Sequence, residues 1–380
     1  MQENHPLFAN TQTVIVVQLL RGDITMIARV GPIALVIIFT LALLAGCTQS
    51  ENIEQPKPPA EKLVVYSPHP LSILRPLLTR FEGETGIPVE VVRGGSGELM
   101  DRLEAEKDAP VCDVLFGGML STVNPRKELF EDYVCQNDEN LQPDFRQEAA
   151  GATMFSDLPA VLMVNLDKYQ GPPLTGYGDL LAPELKGRIA MGDPGKSSAA
   201  YAHLVSMLYA MGGGNPEAGW DYVEAFCAQI EGNIIGSSTE VYKSVADPGH
   251  MEVALTFEEV AAKYVAEGAP VDLVYPREGL VSDQDGIYII KGTPKREQAE
   301  KLLDFLTGPI AQQMLSEELY RRPVRMDLPL PPMSPLEPKE GLPLIQQDRA
   351  LVSNARRDWI QRFHQLCRKY RQPKEHENEN

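Results

Sequence analysis

From residue 62 onward the chain alternates short β-branched apolar runs with stretches whose apolar residues recur every three or four positions. "KLVVYS" reads as a strand. "PLSILRPLLTRFEGETG" then puts Leu71, Leu74, Leu77, Leu78 and Phe81 on one helical face and stops at Gly86, with Pro76 predicting a kink. "IPVEVVRG" reads as a second strand, "GSGELMDRLEAEK" as a helix and "CDVLFGG" as a third strand. Strands separated by single helices and short loops imply parallel pairing and an α/β layer. After a polar stretch at 135–150, "GATMFSDLPAVLMVN" supplies two strand-like runs around Asp157-Leu158-Pro159.

A second α/β block follows. Helices are predicted for "KSSAAYAHLVSMLYAM", "PEAGWDYVEAFCAQIEG", "STEVYKSVAD" and "EEVAAKYVAEG", and strands for "NIIGS", "MEVALTF", "PVDLVYP" and "GIYIIKG". "KREQAEKLLDFLTGPIAQQML" is amphipathic and helical, as one helix or two. Residues 323–345, rich in proline and leucine, are expected to wrap a surface. "DRALVSNARRDWIQRFHQL" carries Leu351, Ala355, Trp359, Phe363 and Leu366 near a helical period and reads as a last packed helix. The charged tail from Lys369 is expected to be disordered.

The N-terminus points to export. Met26 is followed by Arg29 and the apolar run "VGPIALVIIFTLALL", which ends in Leu44-Ala45-Gly46-Cys47. A basic residue, a short apolar stretch and small residues before a cut form a secretory signal. Cysteine directly after Leu-Ala-Gly resembles the lipobox of bacterial lipoproteins, which implies acylation of Cys47 and a lipid anchor. Residues 1–46 are therefore read as upstream residues plus a lipoprotein signal peptide, with Met26 as the start. Residues 47–60, polar and proline-bearing, are read as a tether.

Charge removes one class of partner. With 35 Lys and Arg against 53 Asp and Glu, the net charge is −18. Nucleic-acid binding rests on neutralising phosphates, so a nucleic-acid partner is not expected. An anionic ligand would need local help from backbone dipoles and a few cations. Of the five cysteines, Cys112, Cys135, Cys227 and Cys367 remain after Cys47, an even number that permits two disulfides of undetermined pairing. None forms a C-x-x-C pair, so no metal site and no cofactor is expected.

"RIAMGDPGKSSAAY" has Ala190 spaced from Gly195-Lys196-Ser197 as in a relaxed phosphate-cradling loop. Pro194 removes one of the N–H donors such a cradle uses, and no apolar strand ends in a partner aspartate. Glycine, lysine and serines at a helix start still favour an anion.

"VVYSPHPLSILRPLLTRFEGETGIPVEVVRGGSGELMDRLEAEKDAPVCDVLFGG" resembles the first lobe of a bacterial ABC-transporter substrate-binding protein, notably in "F-E-x-x-T-G-I-x-V". The likeness continues through "GYGDLLAPELKGRIAMGDPGKSSAAYAHLVSMLYAMGG", "SSTEVYKSVADPGHMEVALTFEEVAAKYV" and "EGLVSDQDGIYIIKGTPKREQAEKLLDFLT", so that it spans residues 60 to 320. The branch resembled is the ferric-iron-binding-like group, which also holds binders of sugar phosphates and phosphonates. The resemblance implies a type II periplasmic-binding-protein fold of two α/β lobes joined by crossing hinge strands. Lobe 1 is then 61–160, lobe 2 is 161–275, and 276–322 returns to lobe 1. Residues 323–368 pack on the lobes, and 369–380 form the tail. The crossings should fall near 150–165 and 275–285. The implied function is capture of a small solute between the lobes by a monomer. Closure then presents it to an ABC permease served by a separate ATPase, at the cell envelope.

Iron binders of this group use an adjacent tyrosine pair after the strand that reads "MEVALTF" here. This chain instead continues Thr256-Phe257-Glu258-Glu259, with Tyr264 and Tyr275 apart. Iron is kept as the alternative ligand, and an organophosphate, best a sugar phosphate, as the first reading. The candidate ligand residues in the first lobe stand at strand ends: Ser67 and His69, then Ser96, Gly97 and Glu98 within and after "GGSG", then Gly118. In the second lobe they are Asp193, Lys196, Ser197 and Ser198, then Ser238 and Thr239, with Glu258 to accept from sugar hydroxyls. The same serines and threonine also suit helix caps. An exported enzyme or a structural surface lipoprotein is the remaining alternative. No G-x-S-x-G follows a strand, and no catalytic residue is assigned.

Overall fold

The computed structural model describes residues 61–146, 151–246, 249–332 and 334–371. The signal peptide, Cys47 and the tether lie outside the described residues, as do residues 372–380. The first lobe opens with β1 (Leu63–Ser67), α1 (Leu71–Thr85), β2 (Val89–Arg93), α2 (Ser96–Glu106), β3 (Val114–Met119) and the short α3 (Leu120–Val123). β1 pairs in parallel with both β2 and β3. Successive side chains of these strands point to opposite faces. Val65, Val114 and Phe116 join Leu74, Leu77 and Phe81 of α1 on one face. Tyr66 and Leu115 join Leu99, Met100 and Leu103 of α2 on the other. α1 is continuous across Pro76 and leaves Leu71 exposed. It ends at Gly86, whose φ of 68° turns its N–H back to the Glu82 carbonyl at 2.9 Å.

The second block contains β4 (Thr153–Asn165), β5 (Ile189–Ala190), α4 (Ser198–Met211), α5 (Trp220–Gln229), α6 (Ser238–Ala246), β6 (Val253–Phe257), α7 (Glu258–Ala266) and β7 (Val271–Val274). It is followed by β8 (Ser282–Ile289), α8 (Arg296–Thr307), α9 (Pro309–Glu317), β9 (Arg322–Pro323) and α10 (Arg349–Tyr370). "NIIGS" forms no strand and contributes only a bridge from Ile235 to Gly192.

β4 joins the lobes. The two runs expected on either side of Asp157-Leu158-Pro159 are one fully buried strand. Its first half, Thr153 to Pro159, runs antiparallel to β8, which in turn pairs with β3. Its second half, from Ala160, pairs with β6 and β7. Pro159 stands at the changeover, where a strand can lack an N–H without losing a ladder bond. The next residue resumes bonding, Ala160 N donating to the Val281 carbonyl at 3.0 Å. The chain crosses back between β7 and β8. Met119, Leu158, Ala160, Ala199, Ala202 and Phe257 form a small apolar cluster at this junction.

Gly308 separates α8 from α9, and Pro309 occupies the first turn of the second helix, a position that needs no N–H. α10 buries Val352, Trp359, Phe363, Leu366 and Cys367 in the core of the second lobe, whereas Leu351 is exposed. The helix runs past Lys369 to Tyr370, because Lys369 Nζ and Tyr370 Oη both reach Glu224 Oε1 at 3.1 Å. Lys369 and Tyr370, expected in the disordered tail, thus belong to the helix.

Candidate functional site

A cavity of about 100 Å³ lies between the lobes, and the starts of several helices converge on it. Ser96, Ser198 and Ser238, which line it, are the first residues of α2, α4 and α6. The unpaired N–H groups and dipole of a helix start carry partial positive charge, so three of them favour an anion. The lobes touch here: Ser198 Oγ donates to Ser96 Oγ at 2.8 Å. A Cβ on Gly97 would lie 2.3 Å from the Gly195 carbonyl oxygen, so only glycine permits this approach.

The floor is charged and nearly sealed. His69 Nε2 lies 3.1 Å from Asp285 Oδ2. The Arg321 guanidinium, 1% exposed, sits 3.4 Å from the same carboxylate and 3.3 Å from Glu259 Oε1. It thus ties β8 of the first lobe to the start of α7 in the second. Gly118 donates its N–H to Asp285 Oδ1 at 2.9 Å. Burial acts to raise the Asp285 pKa, but the charges of His69 and Arg321 and the hydrogen bonds from His69 and Gly118 outweigh it and hold the carboxyl below its ordinary value. Gly117 has a φ of 104°, and a Cβ there would meet His69 Nε2 at 2.5 Å, so glycine is required for the imidazole to lie in place. Arg93 Nε donates to the His69 carbonyl at 2.8 Å, which brings a second guanidinium to the rim.

Of the residues expected to bind ligand, His69, Ser96, Gly118, Ser198, Ser238 and Thr239 line this cavity. The others have different surroundings. Ser67 donates its Oγ to the Phe116 carbonyl and accepts from His69 N at 3.2 Å, so it pins β1 to β3 beneath the site. Gly97 faces the backbone of the opposite lobe. Glu98 reaches back to Gly95 N at 3.3 Å as a cap on α2. Asp193 Oδ1 accepts from Gly195 N and from His364 Nε2 of α10, each at 2.8 Å. Burial acts to raise its pKa, and these hydrogen bonds hold it below the ordinary value. Lys196 is exposed and lies outside the cavity lining. Ser197 caps α4 by accepting from Ala200 N at 3.2 Å, and its Oγ lies 2.6 Å from Ser238 Oγ.

Glu258 is the clearest departure from expectation. Its carboxylate accepts two bonds from Arg322, at 2.7 and 2.6 Å, and one from Tyr275 Oη. Burial pushes its pKa up, opposed by Arg322 and Tyr275. The acid that faces the cavity is its neighbour Glu259. A helix turns by about 100° per residue, so adjacent glutamates at the start of α7 face different ways. Arg93, Tyr242, Glu259, Asp285 and Arg321 line the cavity without having been singled out from the sequence.

Comparison with known proteins shows the family and the fold. A family model described as bacterial extracellular solute-binding protein matches residues 112–350. Iron uptake protein A1 of Synechocystis sp. is 27% identical over 312 residues, covering 78% of this chain and 86% of the relative. A putative 2-aminoethylphosphonate-binding periplasmic protein of Salmonella typhimurium is 24% identical over 262 residues, covering 65% of this chain and 73% of the relative. Among solved structures, the periplasmic binding protein AfuA of Actinobacillus pleuropneumoniae, with exogenous fructose-6-phosphate bound, superposes with a TM-score of 0.73 at 23% identity. That match covers 81% of this chain and 98% of AfuA, and it shows that the two share the type II periplasmic-binding-protein fold.

Proposed function

Because the chain belongs to the bacterial extracellular solute-binding protein family, whose members are the exported binding components of ABC importers rather than enzymes, we propose that it captures a small organophosphate, best a sugar phosphate, between its lobes. The observation that carries this reading is the convergence of three serine-led helix starts on one cavity. Helix dipoles and Arg93 favour the phosphate, while Glu259 and the hydroxyls of Thr239 and Tyr242 suit a hydroxyl-bearing body. A cavity of about 100 Å³ with the lobes in contact must widen to admit a hexose phosphate. Hinge opening at β4 and at residues 275–281 would provide that space.

Delivery to a membrane permease with its separate ATPase, action as a monomer and anchoring through acylated Cys47 complete the proposal. Iron is the reading favoured by the Synechocystis relative. Among the described residues, however, Tyr242 is the one tyrosine at the cavity, and no group of three or more His, Cys, Asp or Glu is placed to hold a metal. Hard anionic ligands for ferric ion are therefore scarce.

A thermal-shift screen of the purified protein against sugar phosphates, phosphonates, polyols and ferric citrate tests the proposal. A ligand at a hundred times its Kd stabilises a fold by about 2.7 kcal/mol, an easily read shift. A shift with a sugar phosphate is expected. A shift with ferric ion alone, accompanied by visible absorbance from tyrosinate, overturns the ligand assignment.

A further inference from the structure

A second groove, of about 580 Å³, lies apart from the ligand cavity, between α3 with the turn after it, the Gly195 loop and α10. Cations dominate it: Arg126 comes from the first lobe, and Arg356 and Arg357 come from α10, against Asp101 and Asp358. Asp101 takes only one nitrogen of Arg126, Nη2 at 2.8 Å. Arg356 stands over Tyr201, its Cζ 4.2 Å from the ring centroid, and spends Nη2 on the Pro194 carbonyl at 3.4 Å.

What remains is unusual for a protein interior. Among the described residues, buried Thr122 Oγ1, Arg126 Nη1 and Arg356 Nη1 have no hydrogen-bond partner. Thr122 is 6% exposed and lines the groove. Leaving one buried donor unsatisfied costs about 1–3 kcal/mol, and more for a charged one. Burial lowers the Arg356 pKa; Tyr201 and Asp283 act against it, and the Arg126 charge adds to it, so the two guanidiniums lie near enough to repel each other. An anion would relieve both penalties at once, and guanidinium pairs match the oxygens of a phosphate or carboxylate.

We propose that this groove is a second, oxyanion-binding site, separate from the solute cavity, in which Thr122, Arg126 and Arg356 converge on one anion. Thr122 and Arg126 belong to the first lobe, whereas α10 is packed into the second. A bound oxyanion therefore joins the lobes along an edge the transported solute does not touch.

The test is equilibrium dialysis of the full chain against labelled inorganic phosphate. Arg126→Gln and the isosteric Thr122→Val are each expected to bind one phosphate fewer per chain than the unaltered protein. That difference is expected whether or not the solute cavity also takes phosphate, so it stands or falls independently of the organophosphate reading. Arg126 is a third exposed, and unchanged melting in phosphate-free buffer would show that its variant folds. Equal phosphate stoichiometry in the unaltered protein and both variants overturns the proposal.

Discussion

His69 Nε2 lies 3.1 Å from Asp285 Oδ2, and neither side chain is more than 6% exposed. Arg321 completes the cluster at 3.4 Å from Asp285. Removing one member of a buried charge cluster strands the others, typically at a cost of about 3–5 kcal/mol. Asp285→Asn is therefore expected to lower unfolding free energy by about that amount at pH 7 and to abolish any ligand-induced thermal shift. Because the Asp285 pKa is depressed in the fold, its stabilisation is present above the ordinary carboxylate pKa and is lost as pH falls through the lower folded value. The Asn variant should thus lose its disadvantage at strongly acid pH. A variant whose urea midpoint matches that of the unaltered protein at pH 7 would count against the cluster.

Two adjacent acids should separate into two phenotypes. Glu259 faces the ligand cavity, while Glu258 is 1% exposed and held by Arg322 and Tyr275. Glu259→Gln is expected to weaken ligand binding at least tenfold, read by calorimetry. Glu258→Gln is expected to lower the melting temperature while leaving Kd within about threefold, because the altered group lies behind the cavity. The reverse pattern would restore the sequence-based assignment to Glu258.

The same comparison shows what the sequence conveyed and what it concealed. Periodicity located β1, α1, β2, α2 and β3, because each shows the ordinary apolar spacing of its element. The serines were legible as residues of helix starts, and the structure brings Ser96, Ser198 and Ser238 to one cavity. Asp285 was not legible, since the expected strand "GIYIIKG" starts only at Gly286, yet Asp283, Gln284 and Asp285 are buried within β8 and find partners contributed by distant segments. Arg321 and Arg322 look like a surface pair for the same reason. Their partners lie 62 and 64 residues away at Glu259 and Glu258, and no local pattern encodes that pairing. Sequence alone does not separate Glu258 from Glu259, because a one-residue difference of helix phase is below what a strand–helix boundary read from sequence resolves.

Cys227 of α5 and Cys367 of α10 bring their sulfurs to 2.6 Å inside the second-lobe core. Cys112 instead donates to the Val64 and Val114 carbonyls, at 3.8 and 3.2 Å. In an exported protein a disulfide donor of the envelope would oxidise the first pair, accepting its two electrons and two protons. Mass spectrometry after alkylation without reduction is expected to show Cys227 and Cys367 unlabelled and Cys112 and Cys135 labelled. Reduction should then cost roughly 2–4 kcal/mol, given the long loop closed. Alkylation of Cys227 and Cys367 in the unreduced, denatured protein would show them to be free thiols.

His203 gives the fold a sensitivity to mild acid. Its ring accepts from or donates to Tyr177 Oη at 2.9 Å on one side and faces the Thr256 carbonyl at 2.9 Å on the other. A carbonyl only accepts, so Nε2 carries a proton. Burial, only partly offset by the Thr256 and Val161 carbonyls, lowers the ring's pKa to about 4, so at pH 7 it is neutral and Nδ1 receives the Tyr177 hydroxyl. The unfolded chain takes up a proton near pH 6.5 and the folded chain does not until about pH 4, so stability is lost as pH falls across that window. The full shift corresponds to about 3 kcal/mol. Asp283, pushed up to about 6 by burial, acts in the opposite sense over part of the same range, so the unaltered protein alone would show a muted slope. The difference between the unaltered protein and His203→Gln isolates the imidazole. Unfolding free energies measured from pH 7.5 to 4.5 should converge as pH falls, because only the histidine protein loses the contribution. Parallel curves over that range would mean that His203 is protonated in the fold as readily as out of it.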